Sequence, residues 1–135
     1  MSISTRIEAA LETVITRAEG DQTPPGLAAA VRYAVFPGGA RVRPSLCLAV
    51  AEACGDDEPG MADAVAAAIE LMHCASLVHD DLPCFDNANT RRGKASVHMT
   101  FGEPLALLAG DAMIVMAFDA LAQGCAHNPH RLTPL

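Results

Sequence analysis

LVHDDLPCFDNANTRRGK, residues 77–94, decides how this chain is read. It is preceded by an apolar stretch in which Val65, Ala68, Ile69, Met72, Ala75 and Leu77 leave few polar positions. A helix that is apolar on most sides is a central helix rather than a surface one. Asp80 and Asp81 fall in its last turn. Two carboxylates there repel each other and face the negative end of the helix dipole. Pro83 disfavours helical geometry at Leu82, so the helix should stop near Asp81. Asp86 follows a short turn, and three carboxylates can then converge on a divalent cation. Magnesium prefers such hard oxygen ligands, keeps several waters and bridges to phosphates.

Arg91, Arg92 and Lys94 come next, with Gly93 loosening the backbone between them. The planar donor fork of arginine fits phosphate oxygens bidentately. Acids followed by paired arginines therefore suggest a magnesium–diphosphate site. The competing reading is an acidic helix end and a basic surface loop held by ordinary ion pairs. An EF-hand does not fit, because the central Gly and terminal Glu are missing at their required offsets. Upstream, His73 is seven residues before Asp80 and shares its helix face, about 10 Å away at 1.5 Å rise per residue. That distance suits a second anion rather than the same metal, although a helix histidine satisfied by its neighbours has the same pattern. His79 adjoins the acids but projects about 100° from Asp80.

Moving further out, Gly38-Gly39-Ala40-Arg41-Val42-Arg43-Pro44 places two glycines and two arginines at a helix start. Backbone N–H groups and guanidinium could hold an anion there; a Gly-Gly turn with solvent-facing arginines is the plainer alternative. It is not a P-loop, since the Lys-Ser/Thr ending is absent. Asp111 follows Gly110 in an apolar stretch and needs a partner.

The remaining pattern is helical throughout. Helices are expected over residues 4–19, 27–36, 44–53, from about 63 to 81, and 104–123, with breaks at residues 20–26, 37–39 and 55–60. Asp63 or a neighbour is the expected cap of the fourth helix. Residues 82–95 read as a polar loop, and no run alternates long enough for a sheet. The apolar stretch between Pro104 and Gln123 is interrupted by Asp111 and Asp119, which are expensive in lipid, so it reads as a buried helix. Residues 128–135 form a Pro-containing break, which suggests the front part of a larger helical domain.

The chain has 135 residues, 51% hydrophobic and 19% charged, so global disorder is excluded. A net charge of −7 makes it a poor generic nucleic-acid binder. Five widely spaced cysteines show neither a zinc pair nor a disulfide framework and read as free buried thiols in a reducing compartment. With no secretory segment at the start, the expected location is cytoplasmic.

The segments PGGARVRP (residues 37–44), AIELMHCASLVHDDLPCFDNANTRRGKASVH (68–98) and FGEPLALLAGDAM (101–113) together resemble the trans-isoprenyl diphosphate synthases. Within that family the chain is most similar to bacterial geranylgeranyl diphosphate synthases of carotenoid biosynthesis. The resemblance covers essentially the whole chain. It implies an all-α isoprenoid synthase fold, an antiparallel helical bundle around a central cavity. Residues 1–135 would be the N-terminal part of a single polyprenyl synthase domain. The implied reaction is magnesium-dependent condensation of isopentenyl diphosphate with an allylic diphosphate, by a homodimer with no membrane span. The resemblance assigns Asp80, Asp81 and Asp86 as catalytic, magnesium-binding acids. It assigns Arg91 to the allylic diphosphate, and Arg43, His73 and Arg92 to isopentenyl diphosphate, with Lys94 adding charge nearby. Ala40 stands where the family usually has lysine, which removes one diphosphate donor; Asn87 and Ala88 stand where many relatives have acids.

Ala75 and Ser76, one turn before Asp80, would line the pocket for the growing tail. Small side chains there favour the twenty-carbon product, geranylgeranyl diphosphate, over the farnesyl product. Family members are about twice this long, and their second aspartate-rich motif has no counterpart here. The 135 residues alone are therefore expected to be inactive, while the complete protein is expected to be a prenyltransferase. The alternatives are a non-catalytic modulatory subunit, a farnesyl diphosphate synthase and a terpene cyclase.

Overall fold

The computed structural model describes residues 1–131. The chain begins with α1 (Ile3–Ala18), whose cap is Ser2: its hydroxyl accepts from the Thr5 N–H. Ile7, Leu11, Val14 and Ile15 form its buried stripe. The helices α2 (Pro25–Val35) and α4 (Pro59–Asp80) both open with proline in the first turn, where the missing N–H is harmless and φ is already helical. Between them lies α3 (Val42–Ala53). The last long helix is α6 (Glu103–Gly124), followed by a short 3-10 turn at Pro129–Arg131.

Two expectations for the polar segment change. Residues 82–95 are not all loop: Thr90–Arg91 (β1) and Lys94–Ala95 (β2) form a two-residue antiparallel ladder, with Thr90 opposite Ala95 and Arg91 opposite Lys94. That ladder is too short to give an alternating pattern. A further short helix, α5 (Val97–Phe101), follows Ser96 and buries Val97 and His98. The fourth helix also starts earlier than expected. Its boundary is set by Pro59 rather than by Asp63, whose carboxylate instead pairs with Arg6 of α1. The expected break at residues 128–135 overlaps the 3-10 turn; residues 132–135 lie outside the described residues.

Helices α4 and α6 are the antiparallel centre, and α4 packs on α6 more extensively than on any other element. At one end Gly124 approaches Ala64; at the other, Gly110 makes a notch for the His79 ring. Small residues are buried along both helices: Ala66, Ala67 and Ala68 on α4, and Ala106, Ala109, Ala117 and Ala120 with Met113 on α6. Small side chains let the axes approach closely. Helix α6 is buried along this face only. Leu107, Leu108, Val115 and Phe118 are exposed on its other side, so it is not the wholly buried helix that its composition suggests. Beyond Glu103 in its first turn, its acids sit on that outer side: Asp119 pairs with Arg17, and Asp111 lies 3.5 Å from His79. By length and composition α4 and α6 could each cross a membrane. Among the described residues all five cysteines are free; Cys74 and Cys125 are buried, while Cys54 and Cys84 are exposed.

The seam gives a direct test. A Cβ at Gly124 would overlap the Ala64 methyl, whereas one at Gly60 meets nothing within 4 Å. Alanine is worth about 1 kcal/mol over glycine in a helix interior, but overpacking costs roughly 1–3 kcal/mol. Thermal unfolding of the intact protein should show Gly124→Ala lowering the midpoint and Gly60→Ala holding or raising it. A stabilised Gly124→Ala variant would contradict the tight seam.

Candidate active site

The end of α4 sets the site. Asp80 is the last helical residue and Asp81 the cap, still in right-handed helical geometry. The chain then folds back on itself: Asp86 N–H donates to the Asp80 carbonyl at 2.8 Å, Asn87 N–H to Leu82, and Ala88 N–H to Asp81. Leu82 is buried and anchors this turn, and Asn87 takes a left-handed conformation to close it. The return brings the Asp86 backbone beside Asp80. Both carboxylates are at exposed positions, and among the described residues neither has a hydrogen-bond or ion-pair partner for its side chain.

Asp81 differs from them. It is 2% exposed and accepts both Nε and Nη2 of Arg91, each at 2.8 Å. A buried carboxylate requires such a partner. The expected convergence of three acids therefore becomes two exposed acids and one that is already neutralised. The difference arises because the cap residue points back toward the core. Among the described residues no group of three or more His, Cys, Asp or Glu is arranged to hold a metal ion. Asp80 and Asp86 still offer hard oxygen donors at one edge, which fits a cation that keeps most of its waters. Arg91 is held firmly charged, first by its hydrogen bonds to Asp81 and then, against some burial, by the fields of Asp81, Asp80 and Asp86. One guanidinium thus stands in the field of all the acids.

Arg92 and Gly93 both have positive φ, 52° and 78°, in the two-residue connection between β1 and β2. This is the geometry that joins twisted strands most directly. It separates the two arginines. Arg91, in the ladder, reaches Asp81. Arg92, at the tip, lies across Gly39, where a Cβ would be 2.9 Å from its Cζ. Lys94 does not present its charge to the site as expected. Its ammonium donates to the Tyr33 and Phe36 carbonyls at 2.7 and 3.2 Å and sits 3.9 Å above the Tyr33 ring. It caps the C-terminal end of α2 and ties the hairpin to it. Ser96 Oγ donates to the Ala88 carbonyl and His98 Nε2 hydrogen-bonds it, each at 2.8 Å, which pins the other side of the loop.

The glycine-arginine turn is also divided. Arg41 is buried rather than solvent-facing. It donates to Glu8, Glu70 and the Val35 carbonyl, and has a left-handed φ of 52° at the head of α3. Arg43 is exposed, and its Nη1 lies 3.4 Å from His73 Nε2. Arginine has no acceptor, so His73 accepts there as the neutral imidazole. Burial lowers the His73 pKa, Arg43 lowers it further, and Arg92 and Arg91 add to this against an opposing pull from Glu70. Arg43 and His73 are thus in contact, Arg92 lies over Gly39 of the same turn, and among the described residues neither arginine has a carboxylate partner. His79 turns away from this cluster and, as the donor to the Leu107 carbonyl, bridges α4 to α6.

The two residues expected at the tail pocket face opposite ways. Ser76 is exposed, but Ala75 is 1% exposed in the core. Positions 71, 75 and 78 share the inward face of α4; Ile69, Met72, Ser76 and Asp80 share the outward one. Below them an apolar groove of about 310 Å³ runs between Ile69 and Met72 of α4 and Phe118 and Leu121 of α6. Under the hairpin a cavity of about 30 Å³ touches Tyr33, Cys74, Asp81 and Arg92. Burial pushes the Cys74 thiol up to about 11, so it stays protonated. Glu70, Arg41 as a buried cation, and Tyr33 were not anticipated. An acid inside an otherwise apolar helix was the available signal for Glu70.

Comparison with known proteins identifies the family and the fold. The polyprenyl synthetase family model matches residues 24–133, and the chain belongs to that family. It is 57% identical over all of its 135 residues to the geranylgeranyl diphosphate synthase of Cereibacter sphaeroides, and covers 47% of that protein. The geranylgeranyl diphosphate synthase of Rhodobacter capsulatus is 56% identical over the same span, again 47% of its length. The chain thus spans about half the length of these curated relatives. Among solved structures, an apo FPP/GFPP synthase from Zymomonas mobilis superposes with a TM-score of 0.86 at 34% identity, over 98% of this chain and 48% of that one. A geranyltransferase from Legionella pneumophila gives 0.83 at 41% identity, over 90% and 42%. The shared fold is the all-α isoprenoid synthase fold.

The His73 environment predicts its titration. The folded pKa lies below the ordinary 6.5, so folding favours the neutral ring. Its contribution to stability is present above 6.5 and is lost as pH falls through that value and below. NMR titration of the intact protein should place the His73 midpoint under 6.5, moving upward when inorganic pyrophosphate is added. A free-protein midpoint above 6.5 would contradict the crowding of guanidinium groups.

Proposed function

We propose that these residues form the N-terminal half of a polyprenyl synthase domain that condenses isopentenyl diphosphate with an allylic diphosphate, releasing inorganic diphosphate and giving geranylgeranyl diphosphate. One observation carries the reading: the hairpin sends Arg91 to the acidic helix end and lays Arg92 across Gly39, in the turn whose Arg43 meets His73. Two anions can then be held at the same end of α4 by two different donor sets.

On this reading Asp80 and Asp86 would hold magnesium at the allylic diphosphate, while Asp81 aims Arg91. Bound magnesium supplies positive charge to the departing diphosphate. The donors of Arg91 that Asp81 leaves free would meet charge that develops on the leaving group, with no reorganisation at that moment. Arg43, Arg92 and His73 hold isopentenyl diphosphate, which directs its double bond toward the carbon that the allylic diphosphate leaves. A proton is then lost from the new chain. His73, neutral in the absence of an anion, gains a proton more easily once a diphosphate offsets the nearby guanidiniums. The low polarity of Met72, Ile69 and Phe118 keeps water from the cationic carbon and seats the tail. Ser76 is the exposed small residue at the top of this path. The identity to geranylgeranyl diphosphate synthases over the whole chain supports the twenty-carbon product. A homodimer, a cytoplasmic location and a role in carotenoid biosynthesis belong to the same proposal.

The intact protein, given magnesium and both diphosphates, should yield a product that co-elutes with the twenty-carbon standard after dephosphorylation. Residues 1–135 alone should give none. Absence of product from the intact protein would overturn the reading. Ser76→Phe should shorten the product by one or more five-carbon units, because the bulk stands between Asp80 and the groove. An unchanged product distribution would remove Ser76 from the tail path.

A further inference from the structure

We propose that Glu70 is a positioning residue for isopentenyl diphosphate: it holds Arg41, and through Arg41 the Gly38–Arg43 turn, in the geometry that sets Arg43 against His73. The inference rests on reading Arg43 and His73 as the anion-binding pair. Glu70 is 2% exposed in the middle of α4, and Arg41 is 6% exposed. Their contact, Arg41 Nη1 to Glu70 Oε1, is 2.9 Å. Arg41 also donates to the Val35 carbonyl at 2.8 Å and to both oxygens of Glu8. Its side chain therefore joins α1, the end of α2 and α4 at the point where α3 begins.

The backbone depends on that anchor. Arg41 has φ 52°, a conformation that a non-glycine residue keeps only where its surroundings fix it. Two residues later Arg43 is exposed and has no carboxylate partner among the described residues; its neighbour is His73. His73 follows Glu70 by three residues, one turn along the same side of α4. Glu70 thus references both halves of the cluster to one helix. The glycines answer to the same constraint. A Cβ at Gly38 would collide with the Arg41 guanidinium, and one at Gly39 with that of Arg92. The turn is thin because an arginine passes on each side of it.

A buried ion pair that only stabilises the fold would change melting temperature without discriminating between substrates. A positioning role raises KM for one of them. In the intact protein, Glu70→Gln keeps shape and an acceptor oxygen, and Gly38→Ala displaces the Arg41 guanidinium from the loop without removing a buried charge. Both should raise KM for isopentenyl diphosphate by about tenfold, with KM for the allylic diphosphate nearly unchanged. Equal rises for both substrates, or none, would overturn the proposal. If Glu70→Gln does not fold, Gly38→Ala decides. If the wild-type protein shows no turnover, the proposed function fails separately. Calorimetry with inorganic pyrophosphate then reads the turn directly: affinity weakened about tenfold in Gly38→Ala supports the role of Glu70 and Arg41, and unchanged affinity refutes it.

Discussion

A carboxylate buried at the C-terminal end of a helix has to be answered by a cation, and the pairing of Asp81 with Arg91 is that answer. The location is unfavourable on two counts, because burial removes water and the helix dipole presents its negative end. The bidentate guanidinium offsets both. Its position in turn fixes the hairpin, since Arg91 is in the two-residue ladder opposite Lys94. Lys94 then closes the end of α2 through the Tyr33 and Phe36 carbonyls. Asp80 and Asp86 are left free at the rim only because Asp81 has taken the inward position. The site's electrostatics therefore follow from which of two adjacent acids faces the core.

Much of this was legible from residue order, and the rest was hidden for identifiable reasons. The helical course, the stop before Pro83 and the acid-then-arginine sequence are local properties, and local patterns survive folding. The antiparallel seam was foreshadowed by the abundance of alanine. What sequence could not separate was chemically identical neighbours. Asp80 and Asp81 differ by about 100° on a helix, and only packing says which of them is buried. Adjacent small residues pose a similar problem at Ala75 and Ser76, where the inward face takes the first and leaves the second outside. Arg41 and Arg43 differ again: the first has Glu8 and Glu70 within reach through tertiary contact, and nothing in the turn itself announces that. Lys94 misled in the other direction. Its nearness in sequence to two phosphate-type arginines suggested the same duty, whereas backbone carbonyls of α2 claim it.

The charge distribution shows how an acidic chain can attract anions. The net charge is −7, yet Arg41, Arg43, Arg91, Arg92 and Lys94 are five of the nine basic residues. They are concentrated in two short segments that meet at one end of α4. Arg41, Arg91 and Lys94 are occupied with holding the loops, which leaves Arg43 and Arg92 as the less committed charges. Negative charge elsewhere includes Glu8 and Glu12 of α1 and Asp56, Asp57 and Glu58 between α3 and α4. A field of this kind guides an anionic ligand toward one mouth and away from the remaining surface.

The left-handed pair at Arg92 and Gly93 has a consequence for how such a loop can vary. Side chains along a ribbon alternate sides, and a reversal of fixed length converts adjacency in sequence into divergence in space. One residue inserted at that bend would shift the parity, sending both guanidiniums toward the same ligand or exchanging their destinations. At the bend itself Gly93, with φ 78°, takes a side chain only under strain, and the residue count matters as much, because the separation of two identical side chains is encoded by length.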